Sequence, residues 1–157
     1  MAQANIVLES IKKGIKEIIE KYNNYKKRVG EKGLKDLSEA NVRKDYIDPL
    51  FEILGWNVRN SEEYDAEQYI RGAGYVDTAL KLNLIPKIFV EAKKFGMIKP
   101  MEFQTTLKGE NIPIDWTEEE RQVLHYAGAK VGVDWAILTN FEKFRLFNAN
   151  TGIVVLD

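Results

Sequence analysis

The stretch GYVDTALKLNLIPKIFVEAKKFG, residues 74–96, constrains the possible folds of this chain more than any other. Two runs rich in Val, Leu, Ile and Phe flank the residues NLIP, a pattern that predicts two strands joined by a turn. The second run begins KIFV, which is typical of a central strand covered on both faces. Charged side chains in buried strands are costly unless they are paired or bind a metal. Asp77, Glu91 and Lys93 occupy such positions, so they form either a structural ion cluster or a site.

Two amphipathic helices are predicted ahead of this strand pair. Apolar residues recur at helical spacing from Ile11 onward, and Gly30 and Gly33 are expected to end the first helix. The second helix is expected to begin at Ser38, a favourable N-cap, and to continue to Gly55. Each helix is expected to pack one apolar face on the rest of the domain.

Short strands and one further helix are predicted after the second helix. The segments WNV and EYDAEQYI are predicted strands, whereas residues 95–116 show no clear periodicity and are expected to form a functional or mobile connection. A capping box of Thr117 and Glu120 predicts a third helix, which is followed by the buried strand VDWAILTN and a terminal hairpin. This order predicts an α/β fold in which helices flank a central mixed β-sheet.

Composition excludes several classes of protein. The 157 residues include no cysteine, which excludes disulfides and thiolate metal sites. No run approaches about 18 uninterrupted apolar residues, so no membrane partner is expected and a cytoplasmic location is predicted. The net charge of −1 conceals a basic first helix, because residues 1–35 carry nine Lys or Arg and four acidic residues. This helix is expected either to attract phosphate or simply to present a solvated basic face.

Asp77 and Glu91 are of the residue types that bind hard metal ions. Glu91 and Lys93 point to the same face, and Asp77 comes within reach of Glu91 if the two strands pair. Two adjacent carboxylates repel each other unless a cation lies between them, and oxygen ligands suit Mg²⁺ or Mn²⁺. The backbone carbonyl of Ala92 is a candidate further ligand, and Lys93 is a candidate to orient or deprotonate a water molecule. The structural alternative is a Lys–Glu ion pair beside an unrelated aspartate.

Three residues on the predicted helices extend this candidate site. Glu39 begins the second helix, whose apolar stripe must face the sheet, and Gln122 and Tyr126 share one face of the third helix. A glutamine amide and a tyrosine hydroxyl on one face can bond a phosphate or brace the carboxylates. Each residue also has a structural explanation, since Glu39 suits the first turn of any helix and Tyr126 suits a core that leaves its hydroxyl wet.

Five sequence blocks, in their order, resemble a known family. The blocks are SEANVRKDYIDPLFEILGW, GYVDTAL, IFVEAKK, RQVLHYA and VDWAILTN. They resemble the nuclease domain at the N-terminus of type I restriction enzyme R subunits and of related restriction–modification enzymes, which belongs to the PD-(D/E)xK nuclease superfamily. The resemblance covers residues 38–157, and it leaves residues 1–37 as a basic N-terminal helix packed on or appended to the nuclease domain.

The resemblance implies a restriction-endonuclease-like core and a role for each candidate residue. It implies metal binding by Asp77 and Glu91, catalysis by Lys93, an accessory acid at Glu39, and a Gln-x-x-x-Tyr motif near the DNA at Gln122 and Tyr126. It implies a Mg²⁺-dependent endodeoxyribonuclease that acts on double-stranded DNA, with a helicase or methyltransferase domain or subunit in the full enzyme. Two alternatives stand beside it: a catalytically silent module for DNA binding or subunit assembly, and a nuclease for branched or damaged DNA.

Overall fold

Eight strands of this α/β protein form one mixed β-sheet, and three helical segments pack on it. The structure, a computed structural model, describes residues 2–130 and 132–157. The strands are β1 (Tyr64–Ile70), β2 (Gly74–Leu82), β3 (Ile85–Ala92), β4 (Phe103–Thr105), β5 (Asn111–Pro113), β6 (Trp135–Thr139), β7 (Phe144–Asn148) and β8 (Val154–Leu156). Their order is β1-β2-β3-β6-β7-β8-β5-β4, and β3 pairs with β6 in parallel while the other neighbours are antiparallel. The predicted α/β fold with a mixed sheet is confirmed.

Two of the three helical segments begin where the sequence places a polar cap. The first segment is α1 (Ala2–Asp36). The second is continuous and consists of α2 (Glu39–Val42), a π-helical turn (Arg43–Ile47) and α3 (Asp48–Ile53). The third is α4 (Glu118–Gly128). Ser38 Oγ accepts a hydrogen bond from Asn41 N at 3.2 Å and so caps α2. Both halves of the predicted capping box, Thr117 and Glu120, are present at the start of α4. None of the described helices is both long and apolar enough to cross a membrane.

The two faces of the sheet are covered by different helices, each over its own apolar core. The core under α4 joins Val123, Tyr126 and Ala127 to strand residues that include Ile70, Val76, Ala79, Phe89 and Leu138. The core under α1, α2 and α3 joins Ile18, Val42 and Phe51 to strand residues that include Leu80, Val90 and Ile137. Adjacent residues Phe89 and Val90 of β3 thus lie in opposite cores, as alternation requires of a central strand.

The first helix continues past the glycines that were expected to end it. Gly30 has φ 71° and ψ 178°, a conformation that glycine adopts without strain, and it interrupts the helix as a kink. The helix then resumes through Gly33 to Asp36, because Leu34 is 1% exposed and the resumed turn packs on the core. Earlier in α1, Ile18 is buried in the same core.

The segment WNV is not a strand, which corrects the prediction made from its apolar residues. The amide of Trp56 donates to the carbonyl of Phe51 at 3.0 Å, and the amide of Asn60 donates to the carbonyl of Asn57 at 3.0 Å. These bonds close the end of α3 and form a turn. Trp56 and Val58 are half-buried against the core under α1, α2 and α3, so their apolar character reflects packing rather than strand pairing.

Residues 95–116 contain more regular structure than the sequence predicts. The hairpin β4–β5 lies within them and extends the edge of the sheet, where Asn111 pairs with Val154 of β8. Each of these strands has three residues, and most of them are not buried. The alternation between buried and exposed residues that identifies a strand in a sequence is therefore missing here.

Candidate metal site

The backbone ladder between β2 and β3 stops where the predicted acids begin. Thr78 pairs with Val90, and Asp77 and Glu91 are the next residues on the two strands. A side chain replaces the backbone at this point, because Asp77 Oδ2 accepts a hydrogen bond from the amide of Ala92 at 2.7 Å. This bond holds the Asp77 carboxylate against β3, the strand that contains Glu91.

An irregularity in β1 and β2 coincides with the position of Asp77. Val76 lies in the core under α4, whereas Leu80 lies in the opposite core, although residues four apart on a regular strand share a face. The alternation of β2 therefore reverses between these two residues. Glu67 of β1, which lies opposite Asp77 between two regular pairs, has φ 57°, an unusual value for a residue other than glycine. Strained backbone of this kind is concentrated at functional sites.

Glu91 is a buried carboxylate with only one of its oxygens paired. The residue is 3% exposed, and its Oε1 accepts a hydrogen bond from Lys93 Nζ at 2.7 Å. Its Oε2 is buried and has no hydrogen-bond partner. Burial, followed by the negative charge of Asp77, raises the pKa of Glu91 to about 7, even though Lys93 opposes the shift. The site therefore disfavours the charged form of Glu91 at neutral pH unless a further cation is bound.

Lys93 is held as an ammonium group. Burial alone would lower its pKa, but the hydrogen bond to Glu91 and the charges of Glu91, Glu39 and Asp77 outweigh burial and raise the pKa. Of the two roles that the sequence leaves to Lys93, orienting a water molecule or removing its proton, a raised pKa favours the first. A protonated lysine is a hydrogen-bond donor and a positive charge, and it is not a base.

Glu39 lies close enough to Asp77 and Lys93 for their charges to shift its pKa. Burial raises the pKa of Glu39, the charge of Lys93 opposes this shift, and the charge of Asp77 adds to it. Glu39 nevertheless does not join the acid pair in a cluster, since no three His, Asp or Glu side chains converge within residues 2–130 and 132–157. The structure thus brings two carboxylates together and places the third nearby.

Arg43 is a residue of this site that the sequence reasoning missed. Its Nη2 donates to the backbone carbonyl of Asp77 at 3.0 Å and to Thr78 Oγ1 at 3.3 Å, and its Nη1 lies 3.7 Å from Asp77 Oδ1. Arg43 therefore fixes the strand from the side of α2. Its spacing of four residues from Glu39 was an available signal, because that spacing puts both side chains on one face of a helix.

Gln122 and Tyr126 bond to each other rather than to the acids. Gln122 Nε2 donates to the Tyr126 hydroxyl at 2.9 Å, as their spacing on α4 allows. Tyr126 is largely buried in the core that includes Ile70 and Val76, as its structural explanation expects of the ring. No hydrogen bond joins either residue to Asp77, Glu91 or Lys93 in the described part of the chain. Their role near DNA stays a prediction.

The residues present at the acid pair fit a divalent cation. A cation would satisfy the unpartnered Oε2 of Glu91 and remove its repulsion with Asp77. The ligand atoms on offer are oxygens, which Mg²⁺ and Mn²⁺ prefer, and Mg²⁺ commonly takes only one or two carboxylates and keeps several waters. The carbonyl of Ala92, next to Glu91, stays a predicted further ligand.

The raised pKa of Glu91 predicts that metal binding depends on pH. A proton on Glu91 competes with the cation below pH 7, so the affinity for Mn²⁺ is expected to fall about tenfold per pH unit between pH 7 and pH 5.5 and to be constant above pH 8. Isothermal calorimetry across this range measures it, with the variant Glu102→Gln as a control that keeps the profile. An affinity that is the same at pH 6 and pH 8 would contradict the assignment of Glu91 as a ligand.

Comparison of this chain with protein-family models, curated proteins and solved structures finds no match.

Proposed function

We propose that this chain is a Mg²⁺-dependent DNA endonuclease domain that hydrolyses phosphodiester bonds at Asp77, Glu91 and Lys93, with Mn²⁺ as a possible substitute. The observation that carries the proposal is the buried, unpartnered Oε2 of Glu91, a carboxyl group whose pKa the charge of Asp77 helps to raise. If the Lys93–Glu91 pair were purely structural, a second carboxylate at Asp77 would only destabilise the charged form of Glu91. A metal-binding pair needs that second carboxylate, because the cation is shared between the two.

In the proposed hydrolysis Asp77 and Glu91 bind the metal ion, and Lys93 stabilises negative charge in the transition state. A bound Mg²⁺ supplies a Lewis acid that polarises the scissile phosphate and lowers the pKa of a water molecule. Asp77 is held in place beforehand by the amide of Ala92 and by Arg43, so it need not reorganise when DNA binds. Lys93, kept protonated by Glu91, is placed to orient the attacking water and to stabilise the developing negative charge.

The wider proposal follows the resemblance of residues 38–157 to restriction nucleases. Acids at the end of a strand pair, with α2 on one side and α4 on the other, are consistent with a restriction-endonuclease-like core. On this proposal Glu39 is the accessory acid, Gln122 and Tyr126 lie near double-stranded DNA, and α1 is a basic helix added to the nuclease domain. The full restriction–modification enzyme then includes a helicase or methyltransferase domain or subunit and acts in the cytoplasm.

Cleavage assays with matched lysine variants test the proposal. The wild-type chain is expected to cleave plasmid DNA in Mg²⁺ or Mn²⁺ and to be inactive in a chelator. Lys93→Ala is expected to lower the rate by about 10²–10³-fold, because a positioned charge at the transition state is lost. Lys87→Ala is the control: Lys87 lies at the other end of β3, where it pairs with Asp134, and its loss is expected to leave the rate unchanged. A folded wild-type protein that neither cleaves DNA nor binds Mn²⁺ would exclude the nuclease.

A silent module for subunit assembly is the second candidate, and one observation favours it. Ile6, Val7 and Leu8 at the start of α1 are exposed by 49–68%, and protein partners commonly cover exposed apolar residues. On this alternative Asp77 and Glu91 have no catalytic task. Assembly or DNA binding that survives Glu91→Ala unchanged, together with an absence of metal-dependent cleavage by the wild type, would favour it over the nuclease.

A further inference from the structure

Two tyrosines form an exposed pair near the acid pair. Tyr69 of β1 and Tyr75 of β2 are direct partners across the ladder, with ring centroids 5.2 Å apart and an interplanar angle of 59°. Both are mostly exposed, at 60% and 65%. All other Phe, Tyr and Trp side chains within residues 2–130 and 132–157 are buried or half-buried. Two exposed aromatic rings in contact with each other leave apolar surface in water, which suggests a binding role.

The burial pattern of the hairpin explains why this pair faces solvent. Ile70 and Val76 pack into the core under α4, so alternation turns Tyr69 and Tyr75 to the opposite face of the sheet. That is the face on which α2 packs, and Arg43 of the following π-helical turn hydrogen-bonds to β2 at Asp77 and Thr78. The tyrosines lie beyond these hydrogen bonds, toward the turn between β1 and β2, and their side chains are exposed.

The position and charge of the pair suit nucleic acid. Tyr75 is two residues from Asp77 on the same strand, which separates their backbones by about 7 Å. Tyr69 also borders a shallow depression lined by Arg71 and Lys130, and both of these cations are exposed. Neither forms a salt bridge within the described residues. Glu67 is the one acid among residues 66–75.

We propose that the Tyr69–Tyr75 pair is a stacking platform for an unpaired DNA base close to the scissile phosphate, with Arg71 and Lys130 contacting phosphates of the same strand. This inference rests on the proposed nuclease function and adds the kind of DNA structure that the site receives. Bases stack on exposed aromatic rings regardless of sequence, and cations that follow the backbone are the usual companions of such rings. A paired base offers no free ring face, because its neighbours in the duplex cover both sides. The platform therefore selects unpaired or frayed DNA.

Binding measured without metal separates this inference from the nuclease itself. The full chain in a chelator is titrated with a fluorescein-labelled single-stranded oligonucleotide and with a duplex of the same sequence, and anisotropy reports binding. The variant Tyr69→Ala/Tyr75→Ala is expected to bind the single strand at least about tenfold more weakly and the duplex less than about threefold more weakly. The variant Tyr69→Phe/Tyr75→Phe keeps the ring faces and is expected to bind as the wild type does. Leu82→Ala removes an exposed apolar side chain at the far end of β2 and is the matched control.

Each outcome of this experiment bears on the platform. Equal losses for single strand and duplex, no loss in the alanine variant, or an equal loss in Leu82→Ala would overturn it, as would a wild-type chain that binds no single strand. Loss of self-association in the alanine variant, seen by light scattering without a loss of DNA binding, would assign the pair to a protein interface instead. A chain that cleaves nothing but loses single-strand binding in the alanine variant would retain the platform and reject the nuclease.

Discussion

Replacing Glu91 with glutamine is expected to abolish metal-dependent cleavage and, in the same protein, to stabilise the metal-free fold. Cleavage is expected to fall by at least about 10³-fold, since the variant lacks one of two metal-binding carboxylates. Stability at pH 8 is expected to rise by about 3 kcal/mol, because the neutral amide avoids the burial and the repulsion from Asp77 that raise the pKa of Glu91 from 4.5 to about 7. A gain in stability with a loss of function is characteristic of a site whose charges are arranged for a ligand.

The pH dependence of this gain has a definite sign. The folded state binds the Glu91 proton more tightly than the unfolded state, so the ionised carboxylate costs stability as the pH rises from about 4.5 to about 7. The two proteins are therefore expected to differ little at pH 4.5 and by the full amount above pH 8. Urea denaturation in a chelator at the two pH values measures the difference. Addition of Mn²⁺ at pH 8 is expected to stabilise the wild type and to leave Glu91→Gln unchanged.

The sign of the same change distinguishes a metal site from a structural ion pair. If the bond between Lys93 and Glu91 existed for stability, Glu91→Gln would lower stability at pH 8. Asp65 of β1 offers a matched control in the same sheet, where its carboxylate pairs with Lys81 of β2 at 2.5 Å. Asp65→Asn is expected to lower stability at pH 8. A loss of stability in both variants would show that Glu91 is only an ion-pair partner.

Local signals explain why much of this fold and of the acid pair could be predicted. The alternation and turn residues of 74–92 predicted β2 and β3, and the spacing of Glu91 and Lys93 predicted that they share a face. Ser38 and Thr117 predicted two helix starts, since a cap acts within three residues of its own position. Such features depend on a few neighbouring residues, so a single sequence contains them.

The parts that could not be predicted depend on distant contacts. The left-handed conformation of Glu67 has no local cause, since it accompanies a reversal in how β1 and β2 bury their side chains. The hairpin β4–β5 is fixed by its place at the edge of the sheet, and Trp56 and Val58 are fixed by packing against the core under α1, α2 and α3. In each case tertiary packing overrides the local preference. The exposure of Tyr69 and Tyr75 could not be predicted for the same reason, because the solvent exposure of a side chain depends on the whole fold.

A buried arginine two strands from Glu91 is expected to have the largest effect on stability, and both residues pair with Leu138 of β6. Arg145 of β7 is fully buried, and its Nη1 donates to Glu120 Oε1 at 2.5 Å. The same guanidinium donates to the Asp157 carboxylate and to the carbonyl of Lys99. Glu120 in turn accepts from the amide of Thr117 at 2.7 Å in the capping box of α4. One side chain therefore joins the start of α4 to the sheet and to the segment before β4.

Arg145→Met is expected to destabilise the protein by about 3–5 kcal/mol. The variant leaves Glu120 charged, fully buried and without its cation, and an uncompensated buried charge carries a cost of this size. Urea denaturation at pH 7 measures the change. The exposed Arg121 on α4 provides the control, since Arg121→Met makes the same chemical change at the surface and is expected to stay within about 0.5 kcal/mol of the wild type.

The double variant Arg145→Met/Glu120→Met tests whether the loss comes from the stranded charge. If it does, removing Glu120 as well restores part of the stability, because apolar residues can replace a buried ion pair at little net cost. The recovery is incomplete, since the capping box of α4 is lost with Glu120, at about 1 kcal/mol. A double variant as unstable as the sum of its single variants would contradict the explanation. A cost below about 1 kcal/mol for Arg145→Met would mean that water reaches Glu120, and that α4 is held in place by its apolar contacts with the sheet rather than by this network.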